Sequence, residues 1–185
     1  MAENVEKTAL IVVDVQNAVT NKEDIFKFGY NRCGNCIINM NRLIAYGEKM
    51  GWEVVFSALS MPWYRILAAA LKRFAFTKGS ENVKLDERLQ AVSKNIFERT
   101  SANALSNSKL RKFLKEKGIE KVMVCGLPTE SRVVATARGA HARGFKVTVV
   151  SDACISRFVD RAETALGKLP AEEIEVETVS NIVLR

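Results

Sequence analysis

One histidine, three prolines and ten glycines in 185 residues put several kinds of protein out of reach. A zinc centre built on several histidines cannot be assembled around His141 alone. So little proline and glycine argues against a collagen-like, low-complexity or linker-rich chain, and no internal repeat is present. Four cysteines without secretion features suggest free thiols, not a disulfide framework. No apolar run approaches the roughly 20 residues that span a bilayer. The opening residues, Met1 to Lys7, lack the basic-then-apolar pattern of a signal peptide. A cytoplasmic protein with no membrane partner is the expectation.

What remains is an ordinary globular mixture. Hydrophobic residues make up 48% of the chain, enough for one domain over 1–185 with a substantial core. The net charge of +7 has no dense basic tract behind it. Diffuse charge of this kind acts on solubility and on small anions, so nucleic acid is not the expected partner.

Thr8 to Val13 is an unbroken apolar, largely β-branched run ending at Asp14, the form of a strand buried on both faces. Ile37, Met40, Leu43, Ile44 and Gly47 recur at helical spacing between Cys33 and Met50, and Gly51 closes that helix. Further strands are expected at Glu53–Phe56, Asn95–Glu98, Lys121–Cys125, Phe145–Val150 and Ile174–Thr178. Helices are expected over Trp63–Phe76, around Leu110–Leu114, over Glu130–Arg143 and over Arg157–Gly167. Strands and helices alternating at this pace predict a parallel sheet with helices on both faces and right-handed crossovers. In such a sheet ligands lie beyond the carboxyl ends of the strands, where strand order reverses. Asp14 and the 126–132 turn both sit at carboxyl ends, so the pocket is expected between them.

The most informative stretch is Lys121-Val-Met-Val-Cys-Gly-Leu-Pro-Thr-Glu-Ser-Arg132-Val-Val-Ala-Thr-Ala. An apolar run ends at a Gly-Leu-Pro turn and a helix begins, forming a strand-to-helix elbow. Such elbows hold a nucleophile at the positive end of a helix. This one presents a guanidinium, which is always charged and is no nucleophile near neutral pH.

At these residues the chain resembles the isochorismatase-like cysteine hydrolases, which include nicotinamidases and related amidases. That family's elbow reads approximately Cys-Gly-Val-Ala-Thr-Asp-x-Cys-Val, followed by Thr-Ala. Cys125-Gly126-Leu127-Pro128-Thr129-Glu130-Ser131-Arg132-Val133, then Thr136-Ala137, occupies that frame. Ala9-Leu-Ile-Val-Val-Asp-Val-Gln-Asn17 at the front and Val149-Val-Ser-Asp-Ala-Cys154 at the back extend the likeness over nearly the whole chain. The resemblance implies a three-layer α/β/α Rossmann-like fold with a mainly parallel six-stranded sheet in the order 3-2-1-4-5-6. It also implies hydrolysis of a small amide, ester or related molecule without a cofactor, in a homo-oligomer (dimer or tetramer).

The family triad maps onto this chain with two substitutions. An aspartate ending the first strand takes the thiol proton, a lysine supports the thiolate, and the elbow cysteine attacks. Asp14 occupies the first position. Arg99 begins Arg99-Thr-Ser-Ala-Asn-Ala-Leu105-Ser-Asn-Ser108, which has the spacing of the lysine stretch, and so stands for the lysine. It keeps the charge but has a broader, planar head, and a solvated strand-end arginine is the competing account. Arg132 stands for the cysteine, and without a thiol or hydroxyl there is no acyl intermediate. Ser131 is the nearest hydroxyl, but one helical step turns it by about 100°.

Pro128 changes a further part. The family often places a cis peptide at the Val-Ala step; here the step is Leu127-Pro128, where cis costs little. The turn is therefore expected to persist. The family's oxyanion hole uses the amide at this position, which proline lacks. Losing one such donor typically costs about 10²–10³ in rate. The resemblance also places Gln16, Trp63, Leu127, Pro128, Thr129 and Ser131 around the ligand.

Other features have bland readings. Cys33-Gly-Asn-Cys36 sits at a helix start, where a thiolate would be stabilised, but the usual preceding strand is missing. Ordinary packing is the leading account, and a redox pair or a relocated nucleophile are the alternatives. Cys125 and Cys154 suit core positions. His141, late in the elbow helix, suits a surface. Phe28, Trp63 and Tyr64 can form either an aromatic wall over the pocket or plain core. Two functions follow. In one, Asp14 pairs with Arg132 or Arg99, and surplus positive charge attracts a small anion. In the other, a displaced nucleophile, Ser131 or a cysteine of the 33–36 stretch, keeps the hydrolase working.

Overall fold

The computed structural model describes residues 6–23, 26–61, 76, 78–90 and 95–184. Strand β1, Thr8–Val13, is buried at every position. Leu10 and Val12 serve one core layer, and Ala9, Ile11 and Val13 serve the other. A strand covered on both sides needs an apolar residue at each step, which this run supplies. Parallel to it lie β2, Glu53–Leu59, on one side and β4, Lys121–Gly126, on the other. Outside β2 lies β3, Ile96–Arg99; outside β4 lie β5, Lys146–Cys154, and then β6, Glu175–Glu177. The sheet is six-stranded and parallel, in the order β3-β2-β1-β4-β5-β6. Strand order reverses between β1 and β4, where Asp14 and the elbow emerge.

Helix α1, Asn17–Thr20, follows β1 directly. Helix α2, Tyr30–Lys49, covers one face of the sheet with Ile37, Met40, Leu43 and Ile44, so its apolar spacing is that of its buried stripe. The other face is covered by α3, Ser108–Glu116, through Leu110 and Leu114, and by α4, Val134–His141, through Ala137 and Ala140. Asn107 caps α3, its side-chain oxygen accepting from the amides of Lys109 and Leu110. Helix α5, Val159–Lys168, connects β5 to β6, and a short α6, Val179–Val183, closes the chain.

Several boundaries differ from the sequence reading. Ser57, Ala58 and Leu59 continue β2 past Phe56, all buried. β5 likewise runs on to Cys154, and α2 starts at Tyr30, three residues before Cys33. α6 carries no strong sequence signal. The helix expected over Trp63–Phe76 falls almost wholly on 62–75, outside the described residues. Among the described residues no helix is long and apolar enough to cross a membrane.

One close approach fixes the elbow against β1. Gly126 has φ +123°, and a Cβ there would stand 2.2 Å from the carbonyl oxygen of Val13. Only glycine ends β4 here without pushing the two central strands apart.

Candidate functional site

Asp14 leaves β1 with φ 55°, a left-handed conformation that aspartate and asparagine tolerate better than most residues. Its amide donates to the Ser57 carbonyl at 2.8 Å, and the residue is fully buried. Two guanidiniums meet its carboxylate. Nη2 of Arg99 lies 2.8 Å from both Oδ1 and Oδ2, and Nη1 of Arg132 lies 2.9 Å from Oδ2. The sequence offered either arginine as the partner; the structure uses both.

The two are anchored unequally. Arg99 sits at the end of β3, 4% exposed, not solvated as the competing account had it. Its Nε donates to Ser57 Oγ at 2.9 Å and its Nη1 to the Ser101 carbonyl. The Arg132 side chain is 21% exposed, with its guanidinium carbon 5.3 Å from the Phe76 ring centre. Ser57 and Phe76 belong to no motif, and Ser101, within the Arg99–Ser108 stretch, contributes only its backbone carbonyl, which no residue type signals.

Burial pushes the Asp14 carboxyl above the usual aspartate range, while the charges of Arg99 and then Arg132 and their hydrogen bonds pull it down. Burial also holds Arg99 below the usual arginine range, opposed by Asp14 and reinforced by the like charge of Arg132. One carboxylate against two guanidiniums leaves a single surplus positive charge, and Arg132 is the member nearer solvent.

The elbow begins with a wide turn. Residues Thr129–Val133 form a π-helical turn before α4, and the amides of Arg132 and Val133 both reach the Pro128 carbonyl, at 3.1 and 3.2 Å. The expected uninterrupted helix from Glu130 is thus corrected in its first turn. The Leu127–Pro128 bond is cis, in keeping with the sequence expectation. The Leu127 amide donates to Val13 O at 2.9 Å and the Thr129 amide to Ile155 O at 3.0 Å. Pro128 has no amide hydrogen, so positions 127 to 129 offer no free backbone donor.

The remaining ligand candidates are scattered in exposure. Ser131 is exposed and Pro128 half-buried, whereas Leu127 and Thr129 are buried. Gln16 is fully buried, and its amide donates to the Leu59 and Val83 carbonyls and accepts from the Leu59 amide. That side chain ties the end of β2 and the turn at Glu81–Val83 to the end of β1. Trp63 and Tyr64 lie outside the described residues, and Phe28 is buried in the core beside α2.

Cys33, Cys36 and Cys125 are buried in the core layer under α2, and Cys154 packs against it. Burial pushes the thiols of Cys36, Cys125 and Cys154 well above the ordinary range, so none is primed as a thiolate. His141 ends α4, partly exposed, with Nε2 3.9 Å from a Glu173 carboxylate oxygen.

The sequence model of the isochorismatase domain matches residues 8–180. The isochorismatase family protein YddQ of Bacillus subtilis (strain 168) is 26% identical over 171 residues, 90% of this chain and 86% of that protein. Solved structures superpose closely. An isochorismatase-like hydrolase from Alkaliphilus metalliredigens has a TM-score of 0.80 at 21% identity, covering 96% of this chain and 98% of its own. Nicotinamidase PncA from Bacillus subtilis gives 0.79 at 23% identity, with 92% and 99% covered. At these identities the structural likenesses speak to the fold.

Proposed function

This chain belongs to the isochorismatase family, and we propose that it is a non-catalytic member whose former reaction centre binds a small anion or carboxylate. The observation that carries this reading is the Arg132–Asp14 ion pair, with a guanidinium at the elbow where the family's hydrolases bear their thiol. A cationic side chain there supplies no electron pair for attack on a carbonyl. Asp14, the family's proton acceptor, has its oxygens spent on Arg99 and Arg132. The missing amide hydrogen of Pro128 removes a donor from the place where an oxyanion would form.

The surplus charge gives the site another use. Arg132 can present its outer N–H groups to a carboxylate in a paired, planar contact while its inner edge stays near Asp14. Burial of the cysteines counts against a relocated thiol nucleophile. A panel of amides and esters, assayed before and after thiol alkylation, tests the first half: no turnover is expected in either state. Turnover lost on alkylation or in Cys36→Ala would overturn it. Titration with benzoate and acetate tests the second half: saturable binding is expected in the parent chain and not in Arg132→Ala.

A further inference from the structure

A separate cavity, about 880 Å³, runs along the edge strand β3 and the start of α3. Arg99 contributes to its wall, but among the described residues neither Asp14 nor Arg132 does. The lining mixes polar residues with Ile96 and Phe97 and carries two ammonium groups, Lys78 and Lys109, which reach it from different segments. Both lysines are exposed, and neither has a carboxylate partner among the described residues. Ser60 also lines the cavity. It is 4% exposed, its amide donates to the Arg99 carbonyl at 2.9 Å, and its buried hydroxyl has no hydrogen-bond partner among the described residues.

An unpartnered buried hydroxyl is unfavourable, and native structures usually satisfy it. The positive end of α3 opens beside it: Ser108, the first residue of that nine-residue helix, lines the same space. Among the described residues Glu98 is the single carboxylate on the lining, against Lys78, Lys109 and the wall residue Arg99. Arg99 has its donors directed to Asp14, Ser57 and Ser101, so it adds field and not contact.

We propose that this cavity binds the phosphoryl group of a small phosphorylated molecule. Lys78 and Lys109 neutralise the charge, and the Ser60 and Ser108 hydroxyls supply donors; the amides of Lys109 and Leu110 are taken by the Asn107 cap, so α3 adds field. A phosphoryl group brings more negative charge than a carboxylate and spreads three oxygens in a pyramid instead of two in a plane, which suits donors and cations converging from three segments. Lysine serves such sites as a compact point charge. The volume exceeds what a lone phosphate fills, leaving room for the organic part of an ester. This inference stands independently of the anion site at Arg132.

The test is a calorimetric titration of the full chain with inorganic phosphate and pyrophosphate at constant ionic strength, with acetate as control. Saturable binding of both phosphates is expected, with acetate at least about tenfold weaker. Lys78→Ala with Lys109→Ala should weaken binding about tenfold or more, and Ser60→Ala about fivefold. Lys78→Gln with Lys109→Gln repeats the test with less change in side-chain bulk. In Arg132→Ala, which lacks the elbow anion site, a saturable phosphate site should remain. Absence of saturable phosphate binding, or equal affinity in both lysine pairs and the parent, overturns the inference. Loss of phosphate binding in Arg132→Ala would also overturn it, by moving the anion to the elbow while the earlier proposal survives.

Discussion

Arg99 and Arg132 share one carboxylate and are held in different ways. Arg99 is sealed in the protein, with its donors directed to Asp14, Ser57 Oγ and the Ser101 carbonyl. Arg132 makes a single charged contact, rests over Phe76 and keeps part of its surface in water. A fully enclosed cation with all three nitrogens hydrogen-bonded belongs to the framework. A half-open one with unmatched donors can exchange its partner. The difference separates what holds this fold together from what can serve a ligand, although both side chains belong to the same ion cluster.

The sharpest way to break that contrast is to remove the shared acceptor or the enclosed cation. Arg99→Ala leaves Asp14 with one partner, and Asp14→Ala leaves Arg99 buried and uncompensated. Each should lower stability by about 3–5 kcal/mol in urea unfolding, the usual cost of orphaning a buried charge. Arg99→Lys keeps the charge but loses the fork, and should lie near about 1–3 kcal/mol. By contrast Arg132→Ala should cost less, about 1–2 kcal/mol, because Asp14 keeps its two-oxygen contact with Arg99 and Arg132 is partly in water. If Arg132→Ala is as damaging as Arg99→Ala, the division between framework and ligand contact fails.

Restoring chemistry gives a second contrast. Arg132→Cys alone is expected to give little or no amidase turnover, because Arg99 and Pro128 remain. Adding Arg99→Lys and Pro128→Ala should raise any turnover by about 10²–10³, chiefly through the regained amide donor. Equal rates in the single and triple variants would show that the elbow cation alone blocks the reaction.

The smallest effect comes from a third carboxylate–arginine pair. Asp86 accepts from Arg88 Nε at 2.9 Å and from Nη2 at 2.6 Å, and Arg88 stacks on Tyr30. Burial alone would raise the Asp86 carboxyl, but hydrogen bonds from Arg88 and Thr20 outweigh it and hold the carboxyl below the ordinary value of 3.8. A depressed carboxyl stabilises the fold above its unfolded value and loses that contribution as pH falls through the folded one. Asp86→Asn should therefore lower stability modestly at neutrality and flatten the acid limb below about pH 4, the difference from the parent shrinking as pH falls. An unchanged acid limb would remove the pair from the account.

Much of the fold was legible because burial on both faces leaves a plain signature. The Thr8–Val13 run and the stripe from Ile37 to Gly47 read directly as central strand and covering helix. The wide turn at Thr129–Val133 was not legible, since no residue type marks a π turn and its hydrogen bonds depend on where Pro128 points its carbonyl. Motif position singled out Arg99 and Arg132 as candidates, but it did not give the burial of Arg99, because a strand-end arginine resembles a solvated one. Gln16 shows the opposite limit. Its place after Asp14 suggested a ligand contact, whereas its amide is committed to the backbone of Leu59 and Val83. Those partners lie 43 and 67 residues away, beyond the reach of any local pattern.

The left-handed backbone at position 14 has a bearing on how relatives should be sorted. Main-chain geometry there favours a short polar side chain or glycine, whatever reaction the protein performs or has abandoned. An acidic residue after the first strand is thus a poor witness to turnover. The side chains at 99 and 132 testify better, because the backbone φ at neither place calls for a special residue type.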